Sequence, residues 1–186
     1  MTESVETNDL LAQIPKGRGP APVHLWTPDF CGDIDMRIAR DGTWFYQGTP
    51  IGRKPMVRLF SNILRRDGDD YFLVTPVEKV GIQVDDAPFV AVLLEVIGAG
   101  ETQVLRFTNN VEDVIEASNA HPLRVEVDPV TQEPAPYILM RSNLEALLHR
   151  NVFYQLVELA VPRLLDGEEW LGVWSHGQFY PIGRAG

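Results

Sequence analysis

Ile34-Asp35-Met36-Arg37-Ile38-Ala39-Arg40-Asp41-Gly42-Thr43-Trp44-Phe45-Tyr46 alternates apolar and polar side chains up to an Asp-Gly pair and then returns in β-favouring residues. The alternation has the period of a half-buried strand, Asp41-Gly42 is a hairpin signal, and Thr43 to Tyr46 supplies the returning strand. The same pattern reappears near the other end of the chain. Leu171 and Val173 precede His176-Gly177-Gln178-Phe179-Tyr180 as Met36 and Ile38 precede Asp41 to Phe45, and both copies run on to Pro-Ile-Gly-Arg, at 50–53 and 181–184. This echo predicts a duplicated core in two lobes, with a pocket expected at the interface between them.

Beyond Gly52, Met56, Leu59, Phe60, Ile63 and Leu64 form one apolar stripe, which predicts a helix opening near Pro55 with Arg65 and Arg66 at its C-terminal end. Asp67-Gly68-Asp69 stops it, and Tyr71 to Val74 reads as a strand. From Val77 to Met140 the pattern holds only strands (80–84, 89–97, 103–108, 123–127, 137–140) and turns, an antiparallel meander. Ser142 and Glu145 have capping-box spacing, so the leucine stripe that follows predicts a long helix over 142–161. Phe153, Val157 and Val161 add a second stripe, to be covered by the first lobe or by a second copy of the chain. Residues 1–22, rich in proline and glycine, read as a mobile extended arm. The expected architecture is therefore α+β in three parts: the arm, an α+β lobe over 23–80, and a C-terminal lobe over 81–186 built as a meander closed by one helix.

Composition sets further bounds. The 186 residues are 45% hydrophobic and 23% charged, ordinary for a globular chain. The apolar run Phe89 to Gly98 is too short for a membrane span, no secretory leader is visible, and the single Cys31, read as small and buried, forms no internal disulfide. The cytoplasm is the expected compartment. The net charge is −10, with 10 basic and 11 acidic residues in 1–80 but 6 and 15 in 81–186. Such an acidic balance argues against nucleic-acid binding, and against membrane-lipid binding by the C-terminal lobe. Yet residues 37–66 hold seven basic side chains against the single acid Asp41, a cationic island suited to a small anion.

No phosphate loop, dinucleotide fingerprint, zinc-protease helix or nucleophile elbow is present, and no metal or cofactor site is expected. Asp33 and Asp35 project from one strand face, where they serve either as a solvated face or as the acid pair of a divalent-metal hydrolase. His121, before Pro122, reads as a hydrogen-bonded structural residue or a polar pocket residue.

The strings His24-Leu25-Trp26, Cys31-Gly32-Asp33-Ile34-Asp35-Met36-Arg37-Ile38, Asp41-Gly42-Thr43-Trp44, Gly48-Thr49-Pro50-Ile51, Leu73-Val74-Thr75-Pro76-Val77-Glu78-Lys79 and His121-Pro122-Leu123 with Pro136-Tyr137 together resemble the bacterial family called domain of unknown function 1285. The resemblance implies a duplicated core, a C-terminal lobe like a pleckstrin-homology fold, a nucleotide-type ligand site between the lobes, and a role in signalling. The leading expectation is thus a non-catalytic signalling module holding a small anionic, nucleotide-like ligand. Arg37, Arg53 and Lys79 would neutralise the ligand, Trp26 or Trp44 would stack on it, and Asp35 would accept a hydrogen bond. The alternatives are a protein-interaction adaptor and the Asp33/Asp35 hydrolase.

Overall fold

The computed structural model describes residues 7–15, 17 and 19–185, the first two without their side chains. It divides into two compact units, Met1–Asp86 and Ala87–Gly186. The described residues are mostly β-sheet with three α-helices, an α+β protein of two domains.

The N-terminal unit opens with α1 (Thr7–Gln13). Leu10 on this helix is fully buried, the Thr75 hydroxyl donates to the Gln13 side chain at 2.6 Å, and that side chain donates to Glu78 at 3.2 Å. The expected extended arm is therefore replaced over 7–13 by a docked helix, because an apolar side chain finds cover there; residues 1–6 lie outside the described residues. The sheet comprises β1 (Phe30–Ile38), β2 (Trp44–Tyr46), β3 (Thr49–Pro50), β4 (Leu64–Asp67), β5 (Asp70–Val74) and β6 (Lys79–Val84), with α2 (Lys54–Ser61) between β3 and β4. Met36 and Ile38 of β1 point into a core shared with Trp44, Phe60, Leu73 and Val80, and the Trp44 ring stacks on Phe60 at 6.3 Å. The expected first hairpin is present, with Ile38 opposite Trp44.

Two sequence expectations change here. The helix ends at Ser61 and Asn62, and Leu64 begins a strand paired with Leu73, so Arg65 and Arg66 lie on β4 and not at a helix end. The hairpin closed by Asp67 to Asp70 needs a strand before it, and this tertiary pairing overrides the helical stripe. In addition β6 pairs along its length with β1 and β5, so the boundary after residue 80 would cut a central strand; the units divide after Asp86.

The C-terminal unit comprises β7 (Phe89–Ile97), β8 (Val104–Asn109), β9 (Val114–Glu116), β10 (Leu123–Val127), β11 (Pro134–Arg141), β12 (Leu144–Leu148), α3 (Arg150–Leu159), β13 (Val161–Leu165), β14 (Glu168–Ser175) and β15 (Gln178–Arg184). The predicted helix over 142–161 is corrected. Residues 144–148 form a strand in which Leu144, Ala146 and Leu148 are buried, and the helix starts only after His149, whose ring nitrogen accepts the Asn151 N–H at 3.2 Å. Leu144, Leu147 and Leu148 fit a helical stripe, but 144, 146 and 148 fit a strand equally well, and pairing with β11 and β7 decides between them. Within this chain the second stripe is partly exposed, with Val157 at 48% and Val161 at 41%.

The N-terminal sheet runs β3-β2-β1-β6-β5-β4 and the large C-terminal sheet β9-β8-β7-β12-β11-β10. Each consists of two three-stranded antiparallel meanders, and in each the first strand of the first meander pairs in parallel with the last strand of the second. The meander expected across the C-terminal lobe is therefore two meanders joined by a parallel seam. A topological repeat is present, but not where the sequence echo placed it. Asp41-Gly42 lies in a five-residue turn between Ile38 and Trp44, whereas His176-Gly177 is a two-residue turn with φ of 49° and 72°. Pro50 to Arg53 leads into α2, whereas Pro181 to Arg184 stays in β15. The geometric counterpart of His176-Gly177 is Gln47-Gly48, also a two-residue turn with both φ positive.

The remaining strands form the separate sheet β13-β14-β15. Its hairpin tip docks on β8 and β9 through Ser175, which is fully buried. The Ser175 hydroxyl accepts the Leu105 N–H at 3.0 Å and donates to the Ala117 carbonyl at 2.7 Å, satisfying both backbone groups.

Candidate functional site

The cationic island does not gather at one place. Arg37, on the polar face of β1, pairs with Asp85 at 2.5 Å and lies 4.7 Å from the centre of the Phe45 ring. Arg40 faces Asp86 at 3.6 Å and Arg66 faces Asp69 at 3.7 Å. Arg65 is held on all sides: it donates to the carbonyls of Val23 and Trp26 at 3.0 Å and makes a two-pronged contact with Asp67 at 2.9 and 3.0 Å. Lys79 also reaches Asp67, at 3.0 Å. Burial opposes ionisation of Asp67, but hydrogen bonds from Arg65 and Lys79 outweigh it and lower its pKa below the usual aspartate value.

Arg53 and Lys54 differ from these. Both are exposed at the start of α2, and among the described residues neither has a carboxylate partner. They rim a concavity of about 530 Å³ whose walls are Leu11, Gly52, Pro55, Met56 and Leu59. Pro55 in the first turn fixes the direction of α2, so the two cations project from a rigid start. An anion here meets two positive side chains and the positive end of the helix dipole.

A second concavity, of about 760 Å³, lies along the β1–β6 seam and β5. The seam is irregular, with register shifts between Phe30 and Asp33 and again between Asp33 and Arg37. Its lining includes Phe30, Asp33, Asp70, Phe72, Lys79 and Gly81. A third, of about 640 Å³, lies on the C-terminal unit, where Glu116 accepts from Arg106 at 2.9 Å and pairs with His176 at 2.9 Å. The His176 and then the Arg106 contacts lower the Glu116 pKa.

Of the residues expected at a ligand site, Arg53 and Lys79 line concavities, but different ones. Trp44 is 1% exposed and belongs to the core, so it offers no stacking surface; a hairpin aromatic facing α2 packs there. Trp26 is half-buried and receives Arg65 on its carbonyl. Asp35 is exposed, and its backbone carbonyl accepts the Gln47 N–H at 2.9 Å. Cys31 is exposed and not buried. His121 is held by the Leu139 carbonyl at 2.9 Å and also lines the third concavity, so both of its readings apply. Sequence reasoning counted Lys54 in the cationic island without assigning it to the ligand, and it missed Phe30 and Phe72 and the pairing of Glu116 with His176. Phe30 and Phe72 carried a signal, as aromatics on polar strand faces; Glu116 and His176 are too far apart in sequence to have given one.

Among the described residues no cluster of three or more His, Cys, Asp or Glu side chains is placed to hold a metal ion, and no helix is long and apolar enough to cross a membrane.

Comparison with known families and structures agrees with the two-unit division. Residues 21–87 match the domain of unknown function (DUF1285), N-terminal domain, and residues 88–182 match the protein of unknown function (DUF1285), C-terminal domain. The crystal structure of a DUF1285 family protein from Silicibacter pomeroyi DSS-3 is 56% identical, covers 98% of this chain and 97% of its own, and superposes with a TM-score of 0.90. That of a DUF1285 family protein from Shewanella baltica OS155 is 27% identical, covers 66% of this chain and 90% of its own, and gives a TM-score of 0.53. No curated protein matches.

Proposed function

The chain belongs to the DUF1285 family, and we propose that it acts as a non-catalytic, cytoplasmic signalling module whose N-terminal domain binds a small anionic ligand at the start of α2. The observation that supports this is the contrast within the island. Arg37, Arg40, Arg65 and Arg66 face carboxylates, whereas Arg53 and Lys54 have none among the described residues and stand at the mouth of an apolar concavity. Its volume is in the range of small-molecule sites. The walls are aliphatic and carry no aromatic ring, which favours an anion with an aliphatic body over one with a purine to stack. Nucleotides, the ligand class expected from the family resemblance, are the comparison set. A duplicated core and a pleckstrin-homology likeness of the C-terminal domain belong to the same proposal, supported by the repeated strand order and by the packing of α3 on β7 and β14.

Calorimetry with hexyl phosphate, inorganic phosphate and a nucleoside monophosphate is the test. Hexyl phosphate should bind most tightly. Arg53→Ala should weaken it roughly ten- to a hundredfold, since a charge-assisted contact contributes about 1.5–3 kcal/mol. Lys54→Ala should weaken it less, and affinity should fall with salt. Absence of binding, or binding indifferent to both substitutions, would sink the reading.

A partner-recruiting adaptor is the second reading, supported by β7. Strand β12 pairs with it only at Phe89–Ala91, and farther along Leu93 is 62% exposed beside Val92, Val96 and Ile97. Such an apolar strand segment is a template for another chain. Leu93→Lys should then abolish recruitment and leave anion binding intact.

A further inference from the structure

The groove along the β1–β6 seam has chemistry opposite to that of the Arg53 concavity, and we propose that it is a separate binding site for an organic cation, an alkylammonium group. Its only lysine is already answered: Lys79 stands 3.0 Å from Asp67. Asp33 and Asp70, by contrast, have no side-chain hydrogen-bond or ion-pair partner among the described residues, so their negative charge is left for a ligand. Gly81 shapes the floor, because a Cβ at that position would overlap the Asp33 carboxylate, which lies across β6. An anion would meet the carboxylates of Asp33, Asp69 and Asp70 here and, among the described lining residues, no cation but the paired Lys79, so a phosphate ligand is disfavoured by the same charges that favour an ammonium.

The rings supply the second, independent part of the argument. Phe30 is 56% exposed and meets Phe72 edge to face at 5.9 Å. The Lys79 ammonium sits 4.1 Å from the centre of the Phe72 ring, so the chain's own alkylammonium already occupies one aromatic face of this groove. No cation is found over the neighbouring, exposed Phe30 ring among the described residues. An exposed phenyl face beside an unpartnered carboxylate is the combination that attracts a weakly hydrated quaternary or substituted ammonium. With about 760 Å³ available, the groove has room for more than the ammonium head.

The experiment compares choline with its neutral isostere 3,3-dimethylbutan-1-ol by calorimetry on the full chain. Choline should bind at least about tenfold more tightly, because only it carries the charge that both ring and carboxylate recognise. Phe30→Ala and Asp33→Asn should each weaken choline roughly three- to thirtyfold, and the exposure of both side chains leaves folding intact. Lys79→Met gives the decisive sign. It removes the resident ammonium from Phe72 and keeps the stem, so choline affinity should rise severalfold. Equal binding of the two isosteres, no choline binding to either the parent or the Lys79→Met chain, or weaker binding after Lys79→Met would overturn the proposal. Arg53→Ala should leave choline affinity unchanged, which separates failure here from failure of the anion site.

Discussion

Two sheets with one strand order sit at the centre of the two domains, and their parallel seams are built differently. Between β12 and β7 the seam is a regular ladder, Ala146 to Phe89, Leu147 to Val90 and Leu148 to Ala91. Between β1 and β6 it slips twice, around Asp33, and a groove lies along it. Strands β8 and β9 are also capped, since Ser175 fills a gap between Leu105 and Ala117 with its hydroxyl. The same topology thus carries a short, regular parallel seam in one domain and a slipped seam with a groove along it in the other. Register irregularity in the parallel pairing separates the two seams, and such irregularities re-aim side chains.

The largest expected effects test whether each sheet has the core assigned to it. Trp44→Ala in the N-terminal domain and Phe107→Ala in the C-terminal domain should each cost about 3–5 kcal/mol in denaturant unfolding, since both side chains are buried. A loss under about 1 kcal/mol at either position would show that its core was misassigned.

Ser175→Ala probes the capped layer. It leaves the Leu105 N–H and the Ala117 carbonyl without the hydroxyl, so the loss should be about 1–3 kcal/mol. Hydrogen exchange should locate it, with the Leu105 amide losing protection. Unchanged protection would mean that β8 and β9 do not need the serine.

The smallest effect concerns acid stability on the irregular side. Asp67 has a lowered pKa in the folded chain, so its contribution is present above the unfolded value and is lost as pH falls through the folded one. Stability should therefore decline below about pH 4, and Asp67→Asn should flatten that limb while costing some stability at neutral pH. Parallel acid curves for the two proteins would contradict the Arg65–Asp67–Lys79 linkage.

How much was legible beforehand follows from range of interaction. The β1–β2 hairpin, β5, β6 and most strands of the C-terminal domain were readable because alternation and turn residues are local signals. The segment Leu144–Leu148 was not, since 144, 147 and 148 satisfy a helix while 144, 146 and 148 satisfy a strand, and only pairing with β7 and β11 resolves them. Arg65 was misplaced for the same reason. The cationic island was visible as composition, but which of its members lack carboxylate partners depends on residues distant in sequence, such as Asp85 opposite Arg37. The repeat was sensed through an echo in the wrong strands; strand order shows it, and strand order is not written in any short stretch.

Arg53 and Lys54 are the proposed anion-binding pair, and amide chemical-shift mapping during titration with hexyl phosphate tests this most directly. Saturable shifts are expected, concentrated at residues 52–59 and at Leu11 and absent in the Arg53→Ala chain. Shifts centred on the C-terminal domain, or none at concentrations that saturate other phosphate-binding proteins, would contradict it.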